Sequence, residues 1–342
     1  MSQLGRPTTF PRDAGSGSRN KSEKICLILN PRAGAGRAGA RLDELKLAVD
    51  RAFEQWEVHT TQGPGHAVEL ARTAADAGFS LVAAVGGDGT AHEVINGLME
   101  GDFPRNPRAT FSLIPFGTGS DLQKTLRIPK SLPESLWMAA TGITLPTDVG
   151  RVTLDTEAGP KTEYFINVAG FGTNGEVVRR ANQMDKSWGG QVTFFRATVG
   201  AAFAYTPQQI EITYEGPDGP GTWTGALTSC FVANAAYCGG GMWVGKGGTM
   251  QDGWFDVILL EPSPFVLQLA EVRRLYDGTV LKMRGAHGFR ARSLKARCLG
   301  ADPVYIDLDG EAPGRLPVQF ELLPSVLPVR GGWVHSPVTA GR

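Results

Sequence analysis

The sequence predicts an α/β N-terminal domain, Rossmann-like with a mainly parallel sheet, followed by a mainly antiparallel β-sandwich C-terminal domain. Three observations predict it. Up to about Leu145, short apolar runs alternate with amphipathic stretches, as in successive βα units. Beyond Leu145, strand-like runs succeed one another, many of them separated by glycine turns. A chain of 342 residues is also long for one domain. The boundaries that follow are a tail over 1–22, an α/β domain over 23–145 and a β-rich domain over 146–317.

The tail is rich in Ser, Gly, Arg and Pro with hardly an apolar residue, and disorder is expected there. Ile25 to Leu29 reads as a buried strand ended by Asn30-Pro31. Gly34-Ala-Gly36-Arg-Ala-Gly39 satisfies GxGxxG and leads into a helix with Leu42, Leu45, Val49 and Phe53 on one face. A dinucleotide fold would carry an acid at the end of its second strand. Here that strand, Trp56 to Thr60, ends in His59-Thr60-Thr61, which argues against dinucleotide binding. A helix is expected from His66 to Ala77.

The chain is organised around the next unit. Leu81 to Val85 is a buried strand, Gly86-Gly87-Asp88-Gly89-Thr90 is a turn, and Ala91 to Glu100 reads as a helix with Val94, Ile95, Leu98 and Met99 on one face. Glycines let backbone approach a ligand closely, and the free N–H groups of a helix N-terminus favour a phosphate. Asp88 fits that setting if a Mg²⁺ lies between it and the phosphates. The plain alternative is a tight turn whose Asp caps the helix. Phe111 to Ile114 is another buried strand, ending in Pro115-Phe-Gly-Thr-Gly-Ser-Asp121, a second polar turn at a strand end. A helix from Ser131 to Ala140 closes the domain. Strand-like runs then occur at Val149–Leu154, Tyr164–Val168, Gln209–Tyr214, Ala226–Ala233, Trp254–Leu260, Val304–Leu308 and Val318–Leu323, with a helix expected at Gln191–Ala204.

Composition excludes some functions. The formal net charge is zero, so no global field favours nucleic acid, and 42% hydrophobic with 20% charged residues is ordinary globular composition. Cys26, Cys230, Cys238 and Cys298 lack metal or redox spacing and read as reduced thiols. No apolar run approaches the roughly 18 residues of a membrane span, and no signal-peptide core is seen. A cytoplasmic protein is expected, with any membrane contact peripheral.

Among the remaining motifs, Gly240 to Lys246 nearly matches GxxxxGK. Gly247 replaces the Ser or Thr that would ligate Mg²⁺, and no helix follows, so it is not a P-loop. Asp307-Leu-Asp309-Gly-Glu311 follows a strand and brings three carboxylates together, either for acid–base work or as a solvated turn. The five histidines form no metal pattern. His66 reads as a helix cap or pocket residue, and His92 as a surface or packing residue. Trp188, Trp223, Trp243 and Trp254 read as core or as the lining of a greasy cleft. Eight basic residues against two acids between Glu271 and Arg297 read as a solvated face, or as a patch for anionic lipid headgroups.

Asn30-Pro31 with Gly34, the Gly86–Thr90 turn, Gly117-Thr-Gly-Ser-Asp121, Asn234 with Gly239–Met242, Asp252-Gly253 and Leu308–Glu311 occur in one order from about Ile25 to Leu323. This ordered set resembles the diacylglycerol kinase catalytic-domain family, in particular its soluble bacterial lipid-kinase branch. The resemblance implies the NAD-kinase/diacylglycerol-kinase type of fold, with ATP in a cleft between the domains and residues 318–342 completing the first. It implies that Asp88 and Thr90, with Gly86, Gly87 and Gly89, hold the phosphates with Mg²⁺. Asn30, Pro31, Gly34, Thr61, Gly117 and Thr118 would help form the nucleotide pocket, with Arg37 and Arg41 as phosphate contacts. Asp309 matches the family's general base and Glu311 its partner. Asp121 belongs to an acid–water–metal network, and Asp252 to a structural Mg²⁺ segment that is thin in acids here. Ser120 stands where the family usually has Asn.

The expected activity is transfer of the γ-phosphate of ATP to a lipid hydroxyl, diacylglycerol or a related lipid. A sphingoid base, ceramide or phosphatidylglycerol is the alternative acceptor. A kinase of a soluble acceptor such as NAD, or a non-catalytic lipid- or nucleotide-binding module, are the competing classes. The expected partner is a lipid substrate met transiently at a membrane surface, with no nucleic acid and with room for a homodimer.

Overall fold

The computed structural model describes residues 20–116, 121–156, 159–183, 205–245 and 249–333. The predicted tail up to residue 19, Gly117, Thr118, Ser120, Trp188, the expected helix Gln191–Ala204 and Lys246–Gly248 lie outside them. The first half is built from β1 (Asn20–Leu29), α1 (Arg37–Ala40), α2 (Leu42–Ala52), β2 (Phe53–Thr60), α3 (His66–Asp76), β3 (Leu81–Gly86) and α4 (Asp88–Leu98). There follow β4 (Met99–Glu100), β5 (Phe103–Pro104), β6 (Thr110–Pro115), α5 (Asp121–Thr125) and α6 (Leu132–Thr141). Next come β7 (Ile143–Thr156), β8 (Gly159–Phe165), β9 (Val168–Gly172), α7 (Thr173–Gln183), β10 (Gln208–Gly216), β11 (Gly219–Leu227) and β12 (Ser229–Ala233). The chain ends with β13 (Tyr237–Cys238), β14 (Met242–Trp243), β15 (Phe255–Leu260), α8 (Phe265–Glu271), β16 (Ala286–Ala291), β17 (Ser293–Cys298), β18 (Ile306–Leu308) and β19 (Val318–Gly331).

Strands β6, β3, β1 and β2 are parallel neighbours in that order. Their side chains alternate between two cores. Cys26, Ile28, Val82, Ala84, Phe111 and Leu113 pack with α3 and α4 residues, while Ile25, Leu27, Leu29, Leu81, Ala83 and Val85 pack with residues of α2 and α6. The result is helix, sheet, helix. Because β2 and β3 flank β1 on opposite sides, the chain reverses direction across the sheet there. The loops after β1 and β3 therefore border the crevice where such sheets bind ligands.

The same sheet runs on into the second half. Strand β19 pairs antiparallel with β7 along most of its length, antiparallel with β17 through Val318–Glu321, and parallel with β6 at Val329. Its register shifts between Leu323 and Leu327, where Ser325 has φ 54° and donates its N–H to Asp148 Oδ1 at 2.7 Å. Asp148 Oδ2 accepts from Gly253 at 2.8 Å, and Asn234 Nδ2 donates to the carbonyls of Asp148 and Ile166. These buried polar groups pin the bend that joins the two halves. A five-stranded sheet, β16-β15-β12-β9-β18, faces the long sheet across a core in which Phe165 stacks on Phe255 and Phe171 on Phe320.

Several boundaries differ from the sequence reading. Residues 20–22, expected in the tail, open β1. Phe53 is fully buried, but it starts β2 rather than ending α2. Helix α4 begins at Asp88, so the glycine-rich turn supplies its first turn, and Met99-Glu100 is a strand. The apolar run Tyr164–Val168 divides between β8 and β9, and Ala226–Ala233 divides between β11 and β12. Strands β16 and β17 lie inside the basic stretch. Ala291, Leu294 and Ala296 point inward there between exposed or half-buried charges, and two of the three are too small to mark a strand by composition.

Helices α3 and α4 meet without space. A Cβ at Gly97 would lie 2.3 Å from the Val68 carbonyl and 2.6 Å from Ala71 Cβ. Gly97→Ala is therefore expected to destabilise the fold by about 1–3 kcal/mol in urea unfolding, despite alanine's better helix propensity. An unchanged midpoint would mean that α4 can shift away at no cost.

Candidate active site

The first group of expected residues gathers at the C-terminal edge of the parallel strands. Asn30 follows β1, and its Nδ2 donates to Thr90 Oγ1 at 3.2 Å, tying the loop after β1 to α4. Thr61 is buried and donates its N–H to the Leu29 carbonyl at 2.8 Å. The Pro31 carbonyl accepts from Gly39 at 3.2 Å. Gly34 sits at φ 62°, where a Cβ would come within 2.3 Å of the Phe116 carbonyl, so only glycine fits that approach. Gly86 meets the Thr90 side chain as closely, at 2.4 Å. Gly87 is the N-cap of α4 and makes no side-chain cap, which leaves the Gly89 and Thr90 end of the helix without that partner.

Arg37 and Arg41 make local contacts. Arg37 Nε donates to the Gly34 carbonyl at 2.9 Å within its own turn, and Arg41 Nε to Glu44 Oε2 at 2.6 Å. Glu44 lies one turn further along the chain and holds Arg41 by short-range charge pairing.

Asp88 links the two polar turns. Its Oδ2 accepts from the Asp121 N–H at 3.0 Å and its Oδ1 from Leu122 at 3.1 Å, so it caps α5. Asp121 is buried and in turn accepts from Gly240 at 2.7 Å and pairs with Lys124 Nζ at 2.6 Å. Gly240 belongs to the turn between β13 and β14, so this chain of bonds crosses from the first half to the second. Burial, with Asp121 and Asp309 adding repulsion, pushes the Asp88 carboxyl up to about 7 against the opposing N–H bonds.

The second half returns carboxylates to the same place. Asp309 stands at φ 51° after β18, and its side chain is almost wholly enclosed. Its Oδ2 accepts from Ile166, and its Oδ1 from Asn167 and Val168, all at 3.0 Å. His92 on α4 lies 3.5 Å from Asp309 Oδ2 through Nδ1 and 3.7 Å from Glu163 Oε2 through Nε2. Burial would lower the His92 imidazole, but Asp309 and Glu163 outweigh it and hold it up at about 10. Three backbone amides thus occupy acceptor positions of the Asp309 carboxylate, with the imidazolium charge beside it at 3.5 Å. It fixes the β8–β9 turn and the loop that carries Glu311. Glu311 Oε1 reaches to 3.1 Å of a Cβ placed on Gly89. Burial, with Asp309 and Glu311 nearby, raises Asp307 to about 7, and Cys238 beside these acids is held well above its ordinary value.

Asp252 is not part of this cluster. It pairs with the Arg290 guanidinium and accepts from the Trp254 N–H at 3.1 Å, so Arg290 supplies the positive charge expected from a metal. Gly117 and Thr118 lie outside the described residues. The sequence reading missed His92, Glu163, Asp148 and Asn96. Asn96 Nδ2 donates to the Tyr164 carbonyl at 2.8 Å and its Oδ1 accepts from Tyr164 at 2.9 Å, docking α4 on β8. One signal was available: Asp88, His92 and Asn96 recur every four residues, the spacing of one helix face.

The residues present suit a divalent cation shared with a phosphate. Two or more half-buried acids raise one another, and a cation relieves that repulsion. No three His, Cys, Asp or Glu among the described residues are grouped to hold an ion alone. Mg²⁺ binds through one or two carboxylates together with phosphate oxygens, and the adjoining Asp88 and Asp121 offer such carboxylates.

Residues 24–152 match the diacylglycerol kinase catalytic domain, and residues 167–331 match the YegS C-terminal NAD kinase beta sandwich-like domain. The chain belongs to the diacylglycerol kinase catalytic-domain family, and it is a kinase. It is 28% identical over 303 residues to a diacylglycerol kinase of Bacillus subtilis (strain 168), covering 86% of this chain and 91% of that one. It is 23% identical over 299 residues to a diacylglycerol kinase of Staphylococcus carnosus (strain TM300), covering 86% and 90%. A crystal structure of a diacylglycerol kinase from Bacillus anthracis str. Sterne superposes with a TM-score of 0.64 at 21% identity, over 90% of this chain and 97% of that one. That last likeness establishes the fold.

Proposed function

We propose that this kinase transfers the γ-phosphate of ATP to a hydroxyl of a lipid, diacylglycerol or a closely related one. The observation that carries the reading is the meeting of α4 with the Asp307–Glu311 loop. The α4 N-terminus and a cluster of acids lie side by side, with Glu311 at Gly89, and an apolar sheet face begins beside them at Val168. Asn30, Thr90 and the α4 N-terminus would hold the phosphates, with Asp88 and Asp121 holding Mg²⁺. When bound, the ion would neutralise charge on the transferring phosphoryl group.

Asp309, with three backbone N–H groups bonded to its oxygens, is assigned to positioning. The proton of the acceptor hydroxyl passes to a neighbouring carboxylate, and Glu311 at Gly89 is the best placed. Phosphorylation of diacylglycerol by such a site would give a phosphatidic-acid-type product.

The test is transfer of labelled phosphate from ATP with Mg²⁺ to diacylglycerol, sphingosine, ceramide and phosphatidylglycerol in mixed micelles, with NAD in parallel. A labelled lipid is expected, diacylglycerol above the others. Label on NAD alone would replace the lipid reading by a soluble acceptor. ATP binding without transfer to any of them would remove the reading altogether.

A further inference from the structure

Nine large apolar side chains are exposed among the described residues, and five of them converge on one segment. Val266 (75% exposed), Val272 (43%) and Leu281 (41%) lie on α8 and the two 3-10 turns that follow it, Val272–Leu275 and Val280–Lys282, and Tyr276 (52%) directly follows the first of these turns. Trp243 on β14 (39%) leans over the same segment, its ring 2.9 Å from a Cβ placed on Gly278. These are not leftovers of a loose loop. Leu275, Val280 and Met283 from the same stretch pack inward on Val168, Phe231 and Ile258, so the segment is anchored and its other face is presented to solvent.

Charge accompanies that face. Between residues 265 and 285 stand Arg273, Arg274, Lys282 and Arg284 against Glu271 and Asp277. Both acids are engaged locally: Glu271 with Arg274 and the Arg284 N–H, Asp277 with Thr279. The Arg273 side chain is 89% exposed, and its approach to Asp277 is only 4.0 Å. Further along the basic stretch the pattern changes. On β16 Arg290 is committed to Asp252 and Asp256, and on β17 Arg297 to Glu211, while Arg292, over the Trp254 ring, and the exposed Lys295 carry positive charge beyond the apolar segment.

The location also bears on function. A cavity of about 660 Å³ opens beside the segment, lined by Trp243, Ile258, Val280, Leu281 and Phe289. The apolar cluster behind it reaches Val168, whose N–H is bonded to Asp309. We infer that the face formed by Val266, Val272, Tyr276, Leu281 and Trp243, ringed by Arg273, Lys282 and Arg284, docks on an anionic phospholipid bilayer and faces the acceptor end of the crevice toward it. An apolar tip with a basic rim is what such a surface requires. A symmetric contact between two copies would instead set these cations against their own counterparts. The inference rests on the lipid-kinase reading for its purpose, but its test does not.

The full-length chain would be sedimented with vesicles of phosphatidylcholine and with vesicles enriched in phosphatidylglycerol. Binding to the anionic vesicles is expected, weakening as salt is raised, with little to the neutral ones. The double variant Val266→Asp, Leu281→Asp is expected to bind at least about tenfold more weakly while keeping its melting temperature and its transfer to a short-chain, water-soluble diacylglycerol. Wild-type affinity in that variant would overturn the inference, as would equal binding to both vesicle types. A wild-type dimer in light scattering that the double variant abolishes would reassign the face to self-association. Anionic binding by a wild-type protein that phosphorylates no lipid would sink the proposed function and leave the docking face standing.

Discussion

Asp309→Asn is expected to lower the melting temperature together with turnover, because the side chain is a clamp before it is anything else. Three backbone N–H groups point at the carboxylate, and an amide in its place must turn its own NH₂ toward at least one of them. His92 would lose its closest partner while still buried. Leaving a buried donor and an imidazolium uncompensated costs about 3 kcal/mol. The pH dependence adds a signature. His92 is held at about 10 in the folded chain against an ordinary 6.5, so its pairing contributes fully below about pH 6.5 and is lost as pH rises through 10. The wild type should lose stability across that window, and Asp309→Asn should lose much of that slope. Glu311→Gln, by contrast, is expected to keep the melting temperature while turnover falls about 10²–10⁴-fold. If Asp309→Asn melted like the wild type yet lost turnover on that scale, and Glu311→Gln did not, the proton-accepting role would belong to Asp309.

That contrast shows what the sequence could and could not reveal. The order of layers was legible because runs such as Leu81–Val85 are buried on both faces and because the β-rich half changes texture abruptly. The sites of the turns were legible too, since glycine patterns mark where backbone must bend or approach closely. What Asp309 touches was not legible. Its three donors lie 141 to 143 residues earlier in the chain, at the junction of β8 and β9, within the Tyr164–Val168 run that reads as a single strand. His92 is polar on a helix whose other visible signal is apolar spacing, and only the return of Asp309 and Glu163 from the second half gives it partners. Arg41 and Asp252 show partners that the sequence did not announce. A motif placed them near phosphate and metal, while Glu44 and Arg290, which no motif includes, neutralise them first. The Asp252 pairing spans 38 residues and has no local pattern.

The largest loss of activity should come from Asp88→Asn. On the proposed reading Asp88 joins the cation, the phosphates and the second polar turn, so its charge is used in the transition state and no neighbour repeats that combination. Turnover is expected to fall about 10³-fold or more, and Mg²⁺–ATP should stop raising the melting temperature as it does for the wild type. The ligand-free protein should respond in the opposite sense. A carboxyl held at about 7 against an ordinary 3.8 opposes folding progressively as pH rises from 3.8 to 7, and its full cost remains above 7. The melting temperature of Asp88→Asn relative to wild type should therefore climb between pH 4 and 7 and then level off, whatever the fixed loss from recapping α5. Charge that weakens the empty protein and is needed by the loaded one is the pattern expected of a site arranged around an absent cation. A flat difference across that pH range would mean that Asp88 is stabilised by something other than a bound ion. Retained turnover would remove it from the site.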